Sequence, residues 1–242
     1  MTNNSRYDEH LAIATESRNV SDRHMIFTVS LILLMLQEQT CHRHRVQLNA
    51  EASHNTSDCS GVGGHCCARH GCFAPRSMVN FQKSERQMNM DWSLCEAIAT
   101  TNIGRLKELL HIYDVNCSYC KHLEERIQRN PYLSIPDHLD LQHAIGLFHV
   151  HGHKDDCLYR WATSYVPGAG MIDGEVMETL WAVLNTVSRS TRTASLVHRT
   201  EILDDHMNDS NFKKMCNIGK TNVNGLKLPA QCDLSEIHNR KI

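Results

Sequence analysis

The chain has 242 residues, a length that allows one domain or two at about 100–200 residues per domain. Hydrophobic residues make up 41% and charged residues 21%, which permits a packed core and excludes wholesale disorder. The net charge is −2, so any contact with nucleic acid must come from a local basic patch. The N-terminus (MTNNSRYDEH) does not have the pattern of a secretion signal, and the 11 Cys are an odd number. Both observations predict reduced thiols or metal ligands and not a disulfide framework.

The predicted elements begin with a polar lead and the apolar run Met25–Leu36. A membrane-spanning helix needs about 20 apolar residues, so this run predicts a buried strand or helix and no membrane partner. Composition divides the chain into a segment at 1–40, a Cys/His-rich unit at 41–80, a main part at 81–215 and a loose polar tail at 216–242.

Helix and strand patterns follow one another through the main part. Asp91 is expected to cap a helix over Trp92–Leu110. Apolar runs predict strands at Leu109–Val115 and Ala144–Val150. Helical spacing predicts further helices at Cys120–Gln128, His153–Ala162, Gly174–Leu184 and Val197–Met215. These elements are those of an α/β fold.

Two Cys-x-x-His pairs lie in the Cys/His-rich unit, Cys41 with His44 and Cys67 with His70. Paired ligands on two tight turns joined by a loop suit a tetrahedral structural zinc site, so we predict a zinc knuckle. Alternative ligands are His65, Cys59, Cys66 and Cys72. The competing interpretation is a set of reduced thiols and surface histidines without metal.

A second group of possible ligands consists of His149, His151, His153 and Cys157. A strand would place the three histidines on one face, and a helix beginning at His153 would place His153 and Cys157 one turn apart. Either arrangement could bind metal, with Cys117 or Cys120 as a further thiolate. Solvent-facing histidines are the alternative. A third possibility is a small metallohydrolase that combines the three histidines with Asp173.

Carboxylates occur where phosphate chemistry would need them. Asp114 ends an apolar strand pattern, and Glu175 and Glu178 lie one turn apart at the start of a helix. A carboxylate at a strand end facing another on a helix can hold a pair of Mg²⁺ ions for phosphodiester chemistry. The alternative is that Asp173 caps the helix and that Glu178 is a solvated surface residue.

A basic stretch, Ser188–Thr200, contains no acidic residue and alternates hydroxyl side chains with arginines. This composition suits contacts to a phosphate backbone, and Arg189, Arg192 and Arg199 are the predicted nucleic-acid contacts. An ordinary solvated loop before a helix is the alternative.

Several segments in one order resemble the Kyakuja-Dileera-Zisupton (KDZ) transposases of fungal genomes. They are CARHGCFAPRSMVNFQKSERQMNMD, YDVNCSYCKHLEERI, HAIGLFHVHGHKDDC, PGAGMIDGEVMETLWAVLN, SRSTR and LDDHMNDSNFKK. The resemblance covers about Cys41–Met215. It implies a partial ribonuclease-H-like core, a mixed sheet with flanking helices, to which the Cys/His-rich zinc unit is an insert.

The resemblance also implies function. The family's Tyr-Asp-x-x-Cys motif falls on Tyr113–Cys117, so Asp114 matches its second catalytic acid. The Asp-Gly-Glu motif places the third acid at Glu175, with Glu178 behind it, and these acids would bind Mg²⁺ or Mn²⁺. The family usually has Gln where this chain has Ser118. The first catalytic Asp is expected upstream of the matched segments.

The expected activity is therefore metal-dependent DNA cleavage and strand transfer, in the nucleus and with a possible homo-oligomer. The chain corresponds to the C-terminal part of such a catalytic domain and is expected to be inactive alone. The alternative is a non-catalytic, zinc-stabilised module that binds nucleic acid or another partner.

Overall fold

The structure is a computed structural model that describes residues 4–16, 59, 61–82, 85–101, 103, 106–169, 171–191 and 193–218. The apolar run Met25–Leu36 and the ligand pair Cys41 and His44 lie outside these residues. The described helices are α1 Asn4–Glu16, α2 Gln87–Thr100, α3 Asn116–Tyr119, α4 Leu123–Gln128, α5 Leu147–Val150, α6 Asp155–Trp161, α7 Val176–Thr191 and α8 Leu196–Asn217. Short 3₁₀ turns lie at Cys120–His122 and Thr163–Tyr165. None of the described helices is both long and apolar enough to cross a membrane.

The described strands form two small sheets. In the first, β1 (Gly61–Gly63) pairs antiparallel with β2 (Val79–Phe81). In the second, β3 (Glu108–Ile112) pairs parallel with β4 (Asp140–Ala144), with Ile112 opposite Ala144. Parallel strands need a crossover, which α3 and α4 supply here. The molecule is thus mixed α/β, and the wider ribonuclease-H-like sheet implied by the resemblance stays a prediction.

The strand predicted at Ala144–Val150 is wrong in its position. The strand is β4, Asp140–Ala144, which ends where the predicted strand begins, and Leu147–Val150 is a turn of helix. Gly146 precedes this helix with φ −57° and ψ 147°, and the carboxylate of Glu175 accepts the backbone N–H of Phe148 at 2.9 Å. A carboxylate at a helix N-terminus satisfies its unpaired N–H groups, so a distant residue decides the conformation of this run.

The helix predicted at Trp92–Leu110 is also misplaced. It spans Gln87–Thr100, and Asp91 lies buried inside it instead of capping it. The Asp91 carboxylate accepts two hydrogen bonds from Arg126 of α4, at 2.7 and 3.0 Å. The helix ends where the hydroxyl of Thr100 donates back to the carbonyl of Glu96 at 2.7 Å. Such bonds compete with continuation of a helix.

Three apolar cores hold the elements together. The first surrounds the buried Trp92 of α2 and takes in Tyr7 of α1, Phe81 of β2 and Tyr113 after β3. The second lies between α7 and α8 and includes Phe73, Trp181 and Leu203. The third lies beside the end of β4 and contains Cys117, Ile145, Val150, Cys157 and Ala162. The strand ends of β3 and β4 lie between the first and third cores, where the acidic residues gather.

Candidate active site

Asp114 lies two residues beyond β3, at the carboxyl edge of the parallel sheet. Tyr113 N–H continues the ladder by donating to Ala144 O at 3.0 Å. The fully buried side chain of Asn116 donates to the carbonyls of His111 and Ala144, both at 2.8 Å, and so joins the ends of the two strands. These bonds fix the turn on which the Asp114 carboxylate is carried.

Glu175 approaches the same edge from the loop before α7. Asp173 caps this turn, because its Oδ1 accepts the N–H of Glu175 at 3.0 Å. Its main-chain carbonyl accepts the N–H of Leu147 at 2.8 Å. Gly174 has a left-handed φ of 83°, and a Cβ there would lie 2.8 Å from the Cα of Gly146. A Cβ on Gly146 would in turn meet Glu175 Oε1 at 2.3 Å, so the two loops come this close because both positions are glycine.

His149 brings the acids together. Its Nδ1 lies 3.5 Å from Asp114 Oδ2, and its Nε2 lies 3.2 Å from Glu175 Oε2 and 3.6 Å from Glu178 Oε1. Ligand atoms of Asp114, His149 and Glu178 all lie within 4.8 Å of one another. Three carboxylates from two separate segments therefore surround one imidazole.

The electrostatics of this site match that geometry. The pKa of Asp114 is raised to about 6, because burial raises it, the charge of His149 lowers it, and the charges of Glu178 and Glu175 raise it. Burial lowers the pKa of His149, but the bonds to Glu175 and Glu178 and the charge of Asp114 outweigh burial and raise it to about 10. His149 is therefore an imidazolium at neutral pH, and it partly neutralises the carboxylates that surround it.

A further carboxyl group lies near Asp114. Glu85 is buried, and its Oε1 accepts a hydrogen bond from the Tyr113 hydroxyl at 2.5 Å. Burial, and then the charge of Asp114, raise the pKa of Glu85 well above its usual range. Burial therefore disfavours the charged form of this side chain, and its Oε1 is already bonded to Tyr113.

A cleft of about 810 Å³ opens beside the acids, and its lining includes Leu109, His111, Asp114 and Glu175. This is the part of the molecule where an extended substrate could reach the carboxylates.

The predicted zinc knuckle is only partly visible. The Sγ of Cys67 lies 3.3 Å from Nδ1 of His70, across a tight turn in which Gly71 N–H donates to Cys67 O at 2.7 Å. Their expected partners Cys41 and His44 lie outside the described residues. Among the alternative ligands, burial raises the pKa of Cys66 to about 12, which disfavours the thiolate that a metal needs.

The structure separates the predicted second ligand group. His149 lies among the carboxylates, whereas His153 and Cys157 lie buried beside Cys117, and His151 is exposed. In the groups formed by the described residues the three histidines do not meet at one point. The observation required for a three-histidine metallohydrolase is thus not found there.

The predicted nucleic-acid contacts lie around the connection between α7 and α8. Arg189 belongs to α7, Arg199 lies in the first turn of α8, and Arg192 lies outside the described residues. Ser195 caps α8, its hydroxyl accepting the N–H of His198 at 3.3 Å.

The sequence did not predict the structural roles of two asparagine side chains near the site and the Cys-rich segment. Asn116 occupies a variable position of the Tyr-Asp-x-x-Cys motif, yet it links the strand ends under Asp114. Asn211 of α8 holds the Cys-rich segment through two bonds to Phe73, at 2.8 and 3.0 Å. Its position within the segment LDDHMNDSNFKK, which resembles the family, was the only feature of the sequence that pointed to Asn211.

Comparison with known families gave a match over most of the chain. The sequence model of the Kyakuja-Dileera-Zisupton transposase family matches residues 3–211. The match includes residues before 41, to which the motif resemblance did not extend. Neither the curated proteins nor the solved structures compared with the chain gave a match.

Proposed function

This chain belongs to the Kyakuja-Dileera-Zisupton transposase family, and we propose that it acts on DNA through an acidic metal site. Asp114, Glu175 and Glu178 would hold Mg²⁺ or Mn²⁺. The observation that carries the proposal is the convergence of these three carboxylates on one imidazolium, at the carboxyl edge of a parallel sheet. Membership in a transposase family supports DNA as the partner.

The donor set fits the metals of the proposal. Carboxylate oxygens suit Mg²⁺ and Mn²⁺, whereas thiolates, which those ions avoid, lie elsewhere in the molecule. The bound ions would activate a water or a DNA hydroxyl and stabilise the leaving oxygen. The chain's own residues do the positioning: Asn116 fixes the turn carrying Asp114, and Gly146 allows the approach of Glu175.

We further propose that the chain binds DNA but does not cut it when it acts alone. The family resemblance implies a first catalytic acid that precedes Asp114 in the sequence. Of the described carboxyl groups that interact with Asp114, Glu175 and Glu178 follow it in the chain, and Glu85, which precedes it, is buried with its Oε1 bonded to Tyr113. Loss of one group from such a preorganised site commonly costs on the order of 100- to 1000-fold in rate.

DNA contact is assigned to Arg189, Arg192 and Arg199, since binding to phosphates depends on charge and not on the metals. A nuclear location and a homo-oligomer accompany the transposase proposal.

The second candidate is a non-catalytic, zinc-stabilised binding module, and the contact between Cys67 and His70 favours it. Zinc at Cys41, His44, Cys67 and His70 stays a prediction.

The experiment measures binding to a DNA duplex and nicking of supercoiled plasmid by the purified chain, with Mg²⁺ or Mn²⁺. We expect binding that weakens with salt and no nicking. Arg199→Ala should reduce the salt slope by about 1, as expected when one phosphate contact is lost. Absence of DNA binding would contradict the proposal. Nicking that Glu175→Gln abolishes would show a complete catalytic set and contradict the inactivity.

A further inference from the structure

A second set of ligating side chains lies apart from the acidic site, in the third core. Its members are Cys117, His153 and Cys157, and all three are buried. One ligand atom from each residue lies within 4.8 Å of the other two. Cys117 Sγ and His153 Nδ1 are 3.4 Å apart, and neither cysteine is in a disulfide.

These separations are close to those of a tetrahedral zinc site. With Zn–S of about 2.3 Å and Zn–N of about 2.0 Å, tetrahedral edges are about 3.6 Å for S···N and about 3.8 Å for S···S. The observed S···N separation already matches, and the remaining ones need a contraction of about 1.2 Å at most. We infer that Cys117, His153 and Cys157 bind a zinc ion, with water in the remaining tetrahedral position.

The chemistry of the set favours zinc over the ions of the acidic site. Two thiolates and one imidazole are soft and intermediate ligands, which select Zn²⁺ and not Mg²⁺. The acidic group, in contrast, offers carboxylates and an imidazole and no thiol. The two groups are therefore chemically distinct and would bind different metals.

The ligands lie on short ordered elements. Cys117 belongs to α3, and Cys157 lies in the first turn of α6, where its N–H donates to Lys154 O at 2.8 Å. His153 lies just before α6, and its N–H donates to Val150 O at 3.1 Å. Backbone bonds thus hold all three side chains on one side of the core before any metal binds.

A zinc ion here would link two of the segments that contribute to the acidic site. Cys117 lies three residues after Asp114, and His153 lies four residues after His149. Binding at this point would fix the segment after Asp114 against the segment that carries His149. The inference does not depend on the proposed DNA chemistry, because a structural ion would be bound whether or not the chain cuts DNA.

The test is the zinc content of the purified full chain, measured by elemental mass spectrometry. Cys117→Ser and Cys157→Ser should each lose about one equivalent of zinc relative to the parent chain, since one structural site binds one ion. Cys157→His should regain the ion, because imidazole can replace the thiolate. Cys120→Ser is the matched control, a half-buried thiol one turn from Cys117 but outside the cluster, and it should retain all the zinc.

Cobalt substitution of the parent chain provides a readout that requires no variant to fold. Absorption from thiolate-to-cobalt charge transfer should appear, and in any folded Ser variant it should weaken. Equal zinc content in the parent and both Ser variants would overturn the inference. A parent chain with no thiolate-bound cobalt or zinc would also overturn it, as would equal loss of zinc in Cys120→Ser.

Discussion

Gly174 is the residue on which the approach of Glu175 depends most directly. Its φ is 83°, and an added Cβ would lie 2.8 Å from the backbone of Gly146. Gly174→Ala should therefore cost more than the ~1–2 kcal/mol of left-handed strain alone. It should also weaken binding of Mn²⁺, because Glu175 would shift. Chemical denaturation and a metal titration measure the two effects.

Gly168→Ala is the control that introduces left-handed backbone strain without a steric contact. Gly168 has a φ of 80°, but an added Cβ there would meet nothing within 4 Å. This variant should lose only about 1–2 kcal/mol and should bind Mn²⁺ as the parent chain does. Equal losses of stability and metal affinity in the two variants would show that contact with Gly146 is not what positions Glu175.

Asp91 and Arg126 form the buried ion pair of the first core. Asp91 is 1% exposed, and the Arg126 guanidinium also donates to Tyr119 O at 3.1 Å and lies 4.9 Å from that ring's centre. Asp91→Asn leaves the buried guanidinium without a countercharge and should destabilise the fold by about 3–5 kcal/mol. Urea denaturation measures this loss.

Arg129 provides the comparison, because its pair with Glu125 is exposed. Arg129→Ala should change the free energy of unfolding by about 1 kcal/mol or less. If Asp91→Asn proved equally mild, the buried pair would not be a main support of this core.

The site residues were predictable to different degrees. Asp114 and Glu175 stand in short motifs of a family, so the sequence alone pointed to them. The position of His149 could not be predicted, because the sequence pattern predicts a strand where the structure has helix α5. The start of α5 is capped by Glu175, which comes from a distant segment of the chain. Ligand spacing alone grouped His149 with His153, and the fold separates them.

His65, His111 of β3 and His143 of β4 form a hydrogen-bonded series of imidazoles, here called the ladder. Ser93 donates its hydroxyl to Ser77 O at 2.6 Å, so His65 Nδ1 must donate to Ser93 Oγ, also at 2.6 Å. His65 Nε2 then accepts from His111 Nε2 at 3.2 Å, and His111 Nδ1 accepts from His143 Nδ1 at 3.4 Å. This series of bonds requires neutral imidazoles at His65 and His111, because each of them accepts one bond, whereas His143 only donates.

The ladder predicts loss of stability in acid. Burial lowers the pKa of His65 and of His143 to about 4, and that of His111 well below its usual value. In the unfolded chain these groups take up protons near pH 6.5, so stability should fall as the pH drops from about 6.5 to about 4. The raised pKa values of Asp114, Glu85 and His149 change stability in the opposite direction. The contribution of the ladder is therefore measured by urea denaturation at pH 7.5 and pH 5 of the parent chain and of a ladder variant.

His143→Gln should lose less stability than the parent chain between pH 7.5 and pH 5, since it removes one ladder imidazole. His122→Gln should change with pH as the parent does, because His122 is exposed on the surface. The same change with pH in the parent chain and in His143→Gln would contradict the neutral ladder.

Helix α8 holds the Cys-rich segment in place. Asn211 both donates to and accepts from the backbone of Phe73, and Lys214 donates to Gly71 O. Asn211→Ala removes two bonds between distant parts of the chain and should speed amide hydrogen exchange at residues 65–74. Asn217→Ala, on the exposed end of the same helix, should not. Unchanged exchange in Asn211→Ala would exclude this contact as the support of the segment.

Long amphipathic helices were the easiest elements to predict. The patterns at Gly174–Leu184 and Val197–Met215 correspond to α7 and α8, since each buries one apolar side in the second core. The β1–β2 pair was not predicted, because its three-residue strands carry no periodicity. Short elements take their conformation from tertiary contacts that local pattern does not contain.

At the scale of the whole molecule, the three cores meet around the strand ends that carry Asp114. The first core buries Tyr113, the third buries Cys117, and the second includes Met177 of α7, beside Glu178. The acidic site is thus assembled by elements from all three cores and not by one loop. Its metal affinity should depend on the global fold as well as on the carboxylates.

The most direct test of this site is a titration of the full chain with Mn²⁺, in which free Mn²⁺ is followed by electron paramagnetic resonance. The parent chain should bind Mn²⁺, and Asp114→Asn or Glu175→Gln should weaken that binding by more than about tenfold. Glu124→Gln, which changes an exposed carboxylate of α4, should bind as the parent does. Equal Mn²⁺ affinity in the parent, Asp114→Asn and Glu175→Gln would contradict the assignment of the acidic metal site.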